Sequence, residues 1–334
     1  MNHPLEPTKE TRSALLNGLK SAFASYDFNQ DPYVVELLNQ QRKGIDTSRQ
    51  FQKTMMSGKT YCSDQLKSLA AKGETTSQEL GSSAMEWYLR QCIARFEEMV
   101  RVSESQIFDW TNEEKQHLLK VLTRLPLINL EICHSVLPDR LSQKVEKLVE
   151  VLAKEAQQNP MFTGIVFVEQ RVWVATLAEI LAVHPQTRDL FRVGTFVGTS
   201  KSTKRKTNIA AFAEPRNQQV TLEDFKAGKI NLILATSVLE EGIDVSSCNV
   251  VICFERPKNL KSFVQRRGRA RQQMSKYFIF TPDVNGGRPP ESWQSLENEM
   301  RAAYENDSRQ VQLAEERQME DEDGERFYKV PSTG

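Results

Sequence analysis

Residues 231–254 read NLILATSVLEEGIDVSSCNVVICF, and the fold follows from them. Leu232 to Ala235 is apolar without polar alternation, the pattern of a strand buried on both faces. The run breaks at Thr236-Ser237, two hydroxyls at the carboxyl end of that strand. Glu240-Glu241-Gly242 then turns the chain into a second, nearly all-apolar strand from Cys248 to Phe254. Working outward, strands are expected at 163–168, 193–197, 231–236, 249–254 and 276–281. Helices are expected near 170–183, 203–213, 219–227 and 258–267. Strands alternating with helices imply a mostly parallel sheet with right-handed crossovers. Ligands of open α/β sheets bind at the carboxyl edge. The pattern therefore puts Thr236, Ser237, Asp244 and the basic cluster that follows on loops at one edge of one sheet.

That cluster is Gln265-Arg266-Arg267-Gly268-Arg269-Ala270-Arg271, four arginines without an intervening acid. Arginine keeps its charge at any physiological pH, and its planar fork matches phosphate geometry. Such a cluster repels itself. A nucleotide triphosphate compensates it best, and the competing reading is a solvated basic helix face.

Taken together, "ATSVLEEGID" and "QRRGRAR" resemble motifs V and VI of superfamily-two RNA helicases, in the branch that holds Dicer and the innate immune double-stranded RNA sensors. "GIVFVEQR" at 164–171 resembles motif IV, "VGTS" at 197–200 resembles the next phosphate-contacting loop, and Gln218 before Phe225 fits the segment that leads into motif V. Five matches in the right order are far more specific than a lone glycine motif. The wording is nearest to the helicase region of fungal Dicer-like proteins. The resemblance implies a RecA-like C-terminal helicase lobe over 146–283, preceded by a helical insertion domain over 1–145 and followed by a C-terminal connector helix and tail over 284–334.

The resemblance also assigns roles. Arg269 and Arg271 would be arginine fingers at the γ-phosphate, with Gln265 orienting phosphate or attacking water. Asp244 would accept a hydrogen bond from the ribose, and Gly242 and Gly268 would let the chain approach the nucleotide. Many helicases carry the second finger eight positions into the motif, where this chain has Gln272; Arg271, at the seventh, fits the Dicer branch. One of Arg266 and Arg267 is expected to pair with an acid such as Glu240 or Glu241. Arg171, Gly198, Thr199, Ser200, Thr236 and Ser237 occupy positions that contact the RNA backbone in the family, contacts that fix position without reading sequence. Arg171 as a helix-end residue, and 198–206 as an ordinary basic loop, remain open as structural readings.

The rest of the chain sets bounds. In 334 residues, 44 basic side chains balance 44 acidic ones, so nucleic-acid binding must come from a local patch and not from bulk charge. Five cysteines without a C-x-x-C pair read as reduced thiols of a cytoplasmic protein, a nuclear one being the alternative, and Cys248 and Cys253 read as core. No apolar run approaches a membrane span, so no membrane partner is expected. "SALLNGLKSAF", "PYVVELLNQQ", "AMEWYLRQCIARFEEMV" and "NEEKQHLLKVLTRL" carry apolar residues at helical spacing. Between them, Arg42 to Thr76 is polar with Gly44, Gly58 and Gly73 as breakers, and reads as short helices or a long loop. After Pro282, a charged stretch striped by Trp293, Leu296, Met300 and Tyr304 reads as one long helix.

Ser57-Gly58-Lys59-Thr60 contains the end of a phosphate-binding loop, but the position that needs a glycine holds Lys53 and no apolar strand precedes it. Neither a P-loop nor an acidic magnesium box is expected. ATP and its magnesium would depend on a first RecA-like lobe supplied in cis or trans, and ribonuclease III carboxylates are absent. Two functions follow: half of an ATP-dependent double-stranded RNA helicase from a Dicer-like silencing protein, inactive as this chain alone, or a non-catalytic RNA-binding scaffold that retains the lobe. They differ in where the partner lobe comes from, and a reading frame immediately upstream that encodes a P-loop and an acidic box would separate them. No resident metal site is expected.

Overall fold

The computed structural model describes residues 13–102, 110–125, 136, 140–198, 208–212, 219–239, 248–270 and 274–283, the backbone of 2–4, and single positions at 295, 298 and 302. Apart from those three positions the expected C-terminal helix lies outside these residues, as do Thr199, Ser200, Gln218, Gly242, Asp244 and Arg271.

The strands are β1 (Asn2–Pro4), β2 (Gly164–Phe167), β3 (Val193–Phe196), β4 (Leu232–Ala235), β5 (Val250–Cys253), β6 (Lys276–Ile279) and β7 (Thr281–Asp283). β1 and β7 pair in parallel, and the other five form one parallel sheet in the order β3-β4-β2-β5-β6. Its middle is in register layer by layer, Val166 lying beside both Leu234 and Ile252. This is the RecA-like α/β arrangement expected from the sequence. Alternation divides each strand between two cores. Val166, Leu232, Leu234, Val250 and Ile252 join the larger cluster, while Ile165, Phe167, Ile233, Ala235, Val251 and Cys253 join a smaller one with Phe225 and Leu239. Both faces are covered, which is why the strands read as continuous apolar runs.

Ten helices are described: α1 (Ala14–Ala24), α2 (Pro32–Arg42), α3 (Ser48–Ser57), α4 (Tyr61–Leu80), α5 (Ser82–Val102), α6 (Asn112–Leu122), α7 (Gln143–Gln158), α8 (Arg171–Val183), α9 (Gln219–Lys226) and α10 (Leu260–Arg267). The polar stretch from Arg42 to Thr76 is thus α3 and most of α4. Gly73 does not break α4. A Cβ there would stand 3.1 Å from Leu16 Cδ1 and 3.2 Å from Leu89 Cδ1, so the glycine lets α1 and α5 approach closely. The Gly-Lys-Thr sequence is a turn between two helices. Gly58, at φ +59°, ends α3 in the left-handed conformation that favours glycine. Thr60 caps α4: its Oγ1 accepts from Ser63 N at 3.2 Å, and Ser63 Oγ accepts from Thr60 N at 3.0 Å. The Thr60 hydroxyl also donates to Asp31 Oδ2 at 2.6 Å, as does the Tyr26 hydroxyl at 2.6 Å, while Asp31 Oδ1 caps α2 by accepting from Tyr33 N at 2.9 Å. Gly58 and Thr60 of the apparent phosphate loop are thus spent on helix ends.

The larger core runs unbroken from Leu15, Leu66 and Tyr88 in the helical region to Trp173, Leu234 and Phe280 around the sheet. Polar bonds cross with it. Trp173 Nε1 donates to Thr76 Oγ1 at 3.2 Å, and Lys72 Nζ to Gln170 Oε1 at 2.7 Å. The short 3-10 turn at Ile209–Ala211 is held by helices α4 and α5: Ile209 N donates to Gln65 Oε1 at 2.8 Å, Tyr88 Oη donates to Ala210 O at 2.7 Å, and Arg95 donates to Phe212 O. Cys62, Cys92, Cys248 and Cys253 are buried and unbridged.

Candidate functional site

Parallel strands release their chains at one edge, and four of the expected RNA-contacting positions meet there. Thr236, just past β4, is buried, and its amide donates to Phe196 O at 3.1 Å. Ser237 is exposed and opens a 3-10 turn over Ser237–Leu239. Gly198 lies past β3, where a Cβ would sit 3.4 Å from Val238 Cβ, so the end of this strand abuts the Ser237 turn. Arg171, half-buried, is the first residue of α8, three residues beyond Val168. Thr199 and Ser200 would continue the Gly198 loop but lie outside the described residues.

The arginine cluster divides by burial. Arg266 is 1 % exposed, its Nη2 2.6 Å from Glu169 Oε1 and its guanidinium 5.2 Å above the Phe167 ring. One arginine of the cluster does pair internally, with Glu169. Glu240 and Glu241, the acids suggested by the sequence, lie outside the described residues. Arg267 and Gly268 are exposed, and Gln265 and Arg269 half-buried.

Arg269 corrects one expectation. Its amide donates to Arg266 O at 3.1 Å, and its carbonyl accepts from Cys248 N at 3.2 Å. Cys248 precedes β5, so the backbone of Arg269 lies at the amino edge of the sheet, not at the carboxyl edge with Thr236 and Ser237. The reason is topological: a crossover between parallel strands must return the chain to the amino edge before β6 can start. The loop carrying Gly242 and Asp244 ends at Cys248, so its exit adjoins Arg269.

Each edge has its own buried titratable groups. Glu255 follows β5, and its Oε2 accepts from Glu169 N at 3.1 Å. Burial pushes the Glu255 carboxyl up to about 7, against the pull of Lys144. Its Oε1 is buried without a hydrogen-bond partner among the described residues. Lys144 pairs with Glu79 at 2.5 Å and sits 4.2 Å from the centre of the Phe254 ring. Burial pushes Cys248 up to about 12, while the Arg269 charge works the other way, so that guanidinium is within electrostatic reach of the thiol. Cys253 is pushed up to about 11 by burial, and its sulfur lies 3.1 Å from Tyr277 Oη.

Sequence reading missed Glu169, Glu255 and Lys144. The first two had a signal: each is an acid directly after an apolar strand, at the edge where ligands bind. Among the described residues no three His, Cys, Asp or Glu side chains cluster to hold a metal, and no helix is long and apolar enough to cross a membrane.

Residues 143–273 match the helicase conserved C-terminal domain. Along its length the chain is similar to fungal proteins. It is 58% identical over 337 residues to Dicer-like protein 2 of Phaeosphaeria nodorum, covering 100% of this chain and 24% of that protein. It is 39% identical over 324 residues to Dicer-like protein 2-1 of Aspergillus niger, covering 96% and 23%. It is 38% identical over 314 residues to Dicer-like protein 2 of Aspergillus fumigatus, covering 92% and 22%. The chain therefore spans about a quarter of the length of these relatives.

Proposed function

From a helicase C-terminal domain set in a chain similar to fungal Dicer-like proteins, we propose that this protein is the second motor lobe of an ATP-dependent double-stranded RNA helicase serving RNA-mediated silencing, with an antiviral role in the cytoplasm. The observation that carries the reading is the division of labour across one sheet. Ser237, Gly198 and Arg171 gather at the carboxyl edge, where a phosphate backbone can lie along the loops that follow the strands. Arg269, Gly268 and the exit of the Asp244 loop gather at the other edge, where positive charge meets an exposed glycine turn.

On this reading a nucleotide would lie against the second edge. Arg269 and Arg271 would hold the γ-phosphate, Gln265 would orient it, Asp244 would take the ribose, and Gly242 and Gly268 would leave room for close approach. Fixed guanidinium charge stabilises the charge that develops on a transferring phosphoryl group. Magnesium and the triphosphate cradle would come from a first lobe in cis or trans.

RNA binding by the chain alone tests the reading. With no net charge, binding is expected to be weak, indifferent to sequence and shallow in its salt dependence. Duplex RNA should be preferred over duplex DNA, because backbone readout of an A-form helix engages 2′-hydroxyls. Arg171→Ala should lower affinity equally for unrelated RNAs and reduce the salt slope by about one. Equal affinity for the two duplexes would overturn the reading in favour of a generic polyanion-binding scaffold.

A further inference from the structure

The described residues hold one buried arginine, and it belongs to the cluster whose other described members face solvent or stand half-buried. Arg266 is fully buried on the Phe167 ring and bonded to Glu169. Its partner's backbone is itself fixed, since Glu169 N donates to Glu255 Oε2. In sequence, Glu169 stands two residues before Arg171, and Arg266 stands three residues before Arg269. The ion pair thus bridges the segment that leads to the RNA-facing edge and the segment that leads to the nucleotide-facing edge.

We propose that Glu169 and Arg266 are a positioning pair that couples the two edges, so that RNA held at Arg171 tightens the 266–270 turn and sets the reach of Arg269. The inference rests on the functional reading above and adds to it the route between the sites. Neither residue touches substrate. A planar guanidinium gripped by a carboxylate and stacked on a ring has few alternative orientations. A shift of Glu169 must therefore move Arg266, and Arg266 O directly accepts the Arg269 amide, at 3.1 Å. The chain between Arg266 and Arg269 is one turn, too short to absorb the displacement. Coupling of this kind needs an element that both sites bias, and the pair with its turn supplies one.

The test is amide hydrogen exchange in the 334-residue chain, with and without a blunt RNA duplex. RNA should slow exchange at 266–270 several-fold, at an edge it does not touch. Single substitutions Glu169→Gln and Arg266→Met strand a buried charge or its partner and can unfold the lobe. The neutral pair Glu169→Gln/Arg266→Gln keeps a hydrogen-bonding partner on each side and preserves the experiment. That double variant should still bind RNA, with the protection at 266–270 lost, and Arg266→Lys should recover part of it, because the charge survives without the fork. A purely structural pair would change thermal stability yet leave the RNA-dependent protection in place. RNA binding without any change at 266–270, or protection retained in the neutral pair, overturns the coupling and leaves the functional reading standing. No RNA binding by the unsubstituted chain overturns both.

Discussion

Three positions separate Arg266 from Arg269, and burial sets their chemistry apart. Arg266 is locked against Glu169 and Phe167, whereas Arg269 stands half-buried past the end of α10. Removing Arg266 alone leaves an ionised Glu169 in a poorly hydrated place, so Arg266→Ala should lower unfolding stability by about 3–5 kcal/mol in a denaturant titration. Arg269→Ala should leave stability nearly unchanged. When a first lobe is supplied, it should cut kcat on the order of a thousandfold while altering ATP binding little, with poor rescue by Lys. A rate within a few-fold of the unsubstituted protein would remove Arg269 from the chemistry. Glu255 makes a pH-dependent contribution. Its carboxyl rises from 4.5 to about 7 on folding, so the folded state holds the proton more tightly. Stability is then highest below the unfolded value, falls between roughly pH 4.5 and 7 by on the order of 3 kcal/mol, and is flat above. Lys144, Glu79 and Glu169 are the charges that act on this carboxyl. Glu255→Gln should flatten that slope in urea titrations taken across the window. The sequence displayed the arginines but not their separate roles, because the acid that sorts them lies 97 positions away and meets them only when the sheet forms.

Strands were the most legible elements. Being covered on both faces, β2, β4 and β5 carry no polar side chain, and all five strands fall within a residue or two of their expected limits. Helix α4, which takes up the second half of the polar stretch, was obscured by its own packing. Gly73 looked like a breaker in a polar stretch, yet its missing side chain is what the neighbouring leucines require. Gly73→Val should therefore cost about 1–3 kcal/mol through overpacking against Leu16 and Leu89, in spite of valine's freedom from glycine's entropy loss. A variant as stable as the parent would show that α1 and α5 can move apart. The edge of the sheet was read half correctly. Thr236 and Ser237 follow directly from the end of β4, but placing Arg269 required its backbone bond to Cys248, 21 positions earlier, which residue patterns do not state.

At the scale of the molecule, one apolar core passes from the helices of the first 122 residues into the layer that covers the sheet. Helical region and lobe are expected to unfold together, in a single transition seen alike by far-ultraviolet circular dichroism and by tryptophan fluorescence from Trp87, Trp110 and Trp173. Two resolved transitions would mean that the bonds from Tyr88 to Ala210 and from Thr76 to Trp173 add little.

The same interlock bears on how such a protein can be handled and inherited. The region that matches the helicase domain begins at residue 143, yet a cut there would bare Trp173, Ile209 and Phe212 to water, a face now roofed by α4 and α5. A piece running from 143 to 283 is expected to precipitate or to be captured by chaperones, while the longer chain stays monodisperse. Recombination between related genes would meet the same constraint: exchanging the lobe without its helices would part surfaces shaped for each other. The unit that can be transplanted is larger than the unit that the helicase-domain match outlines.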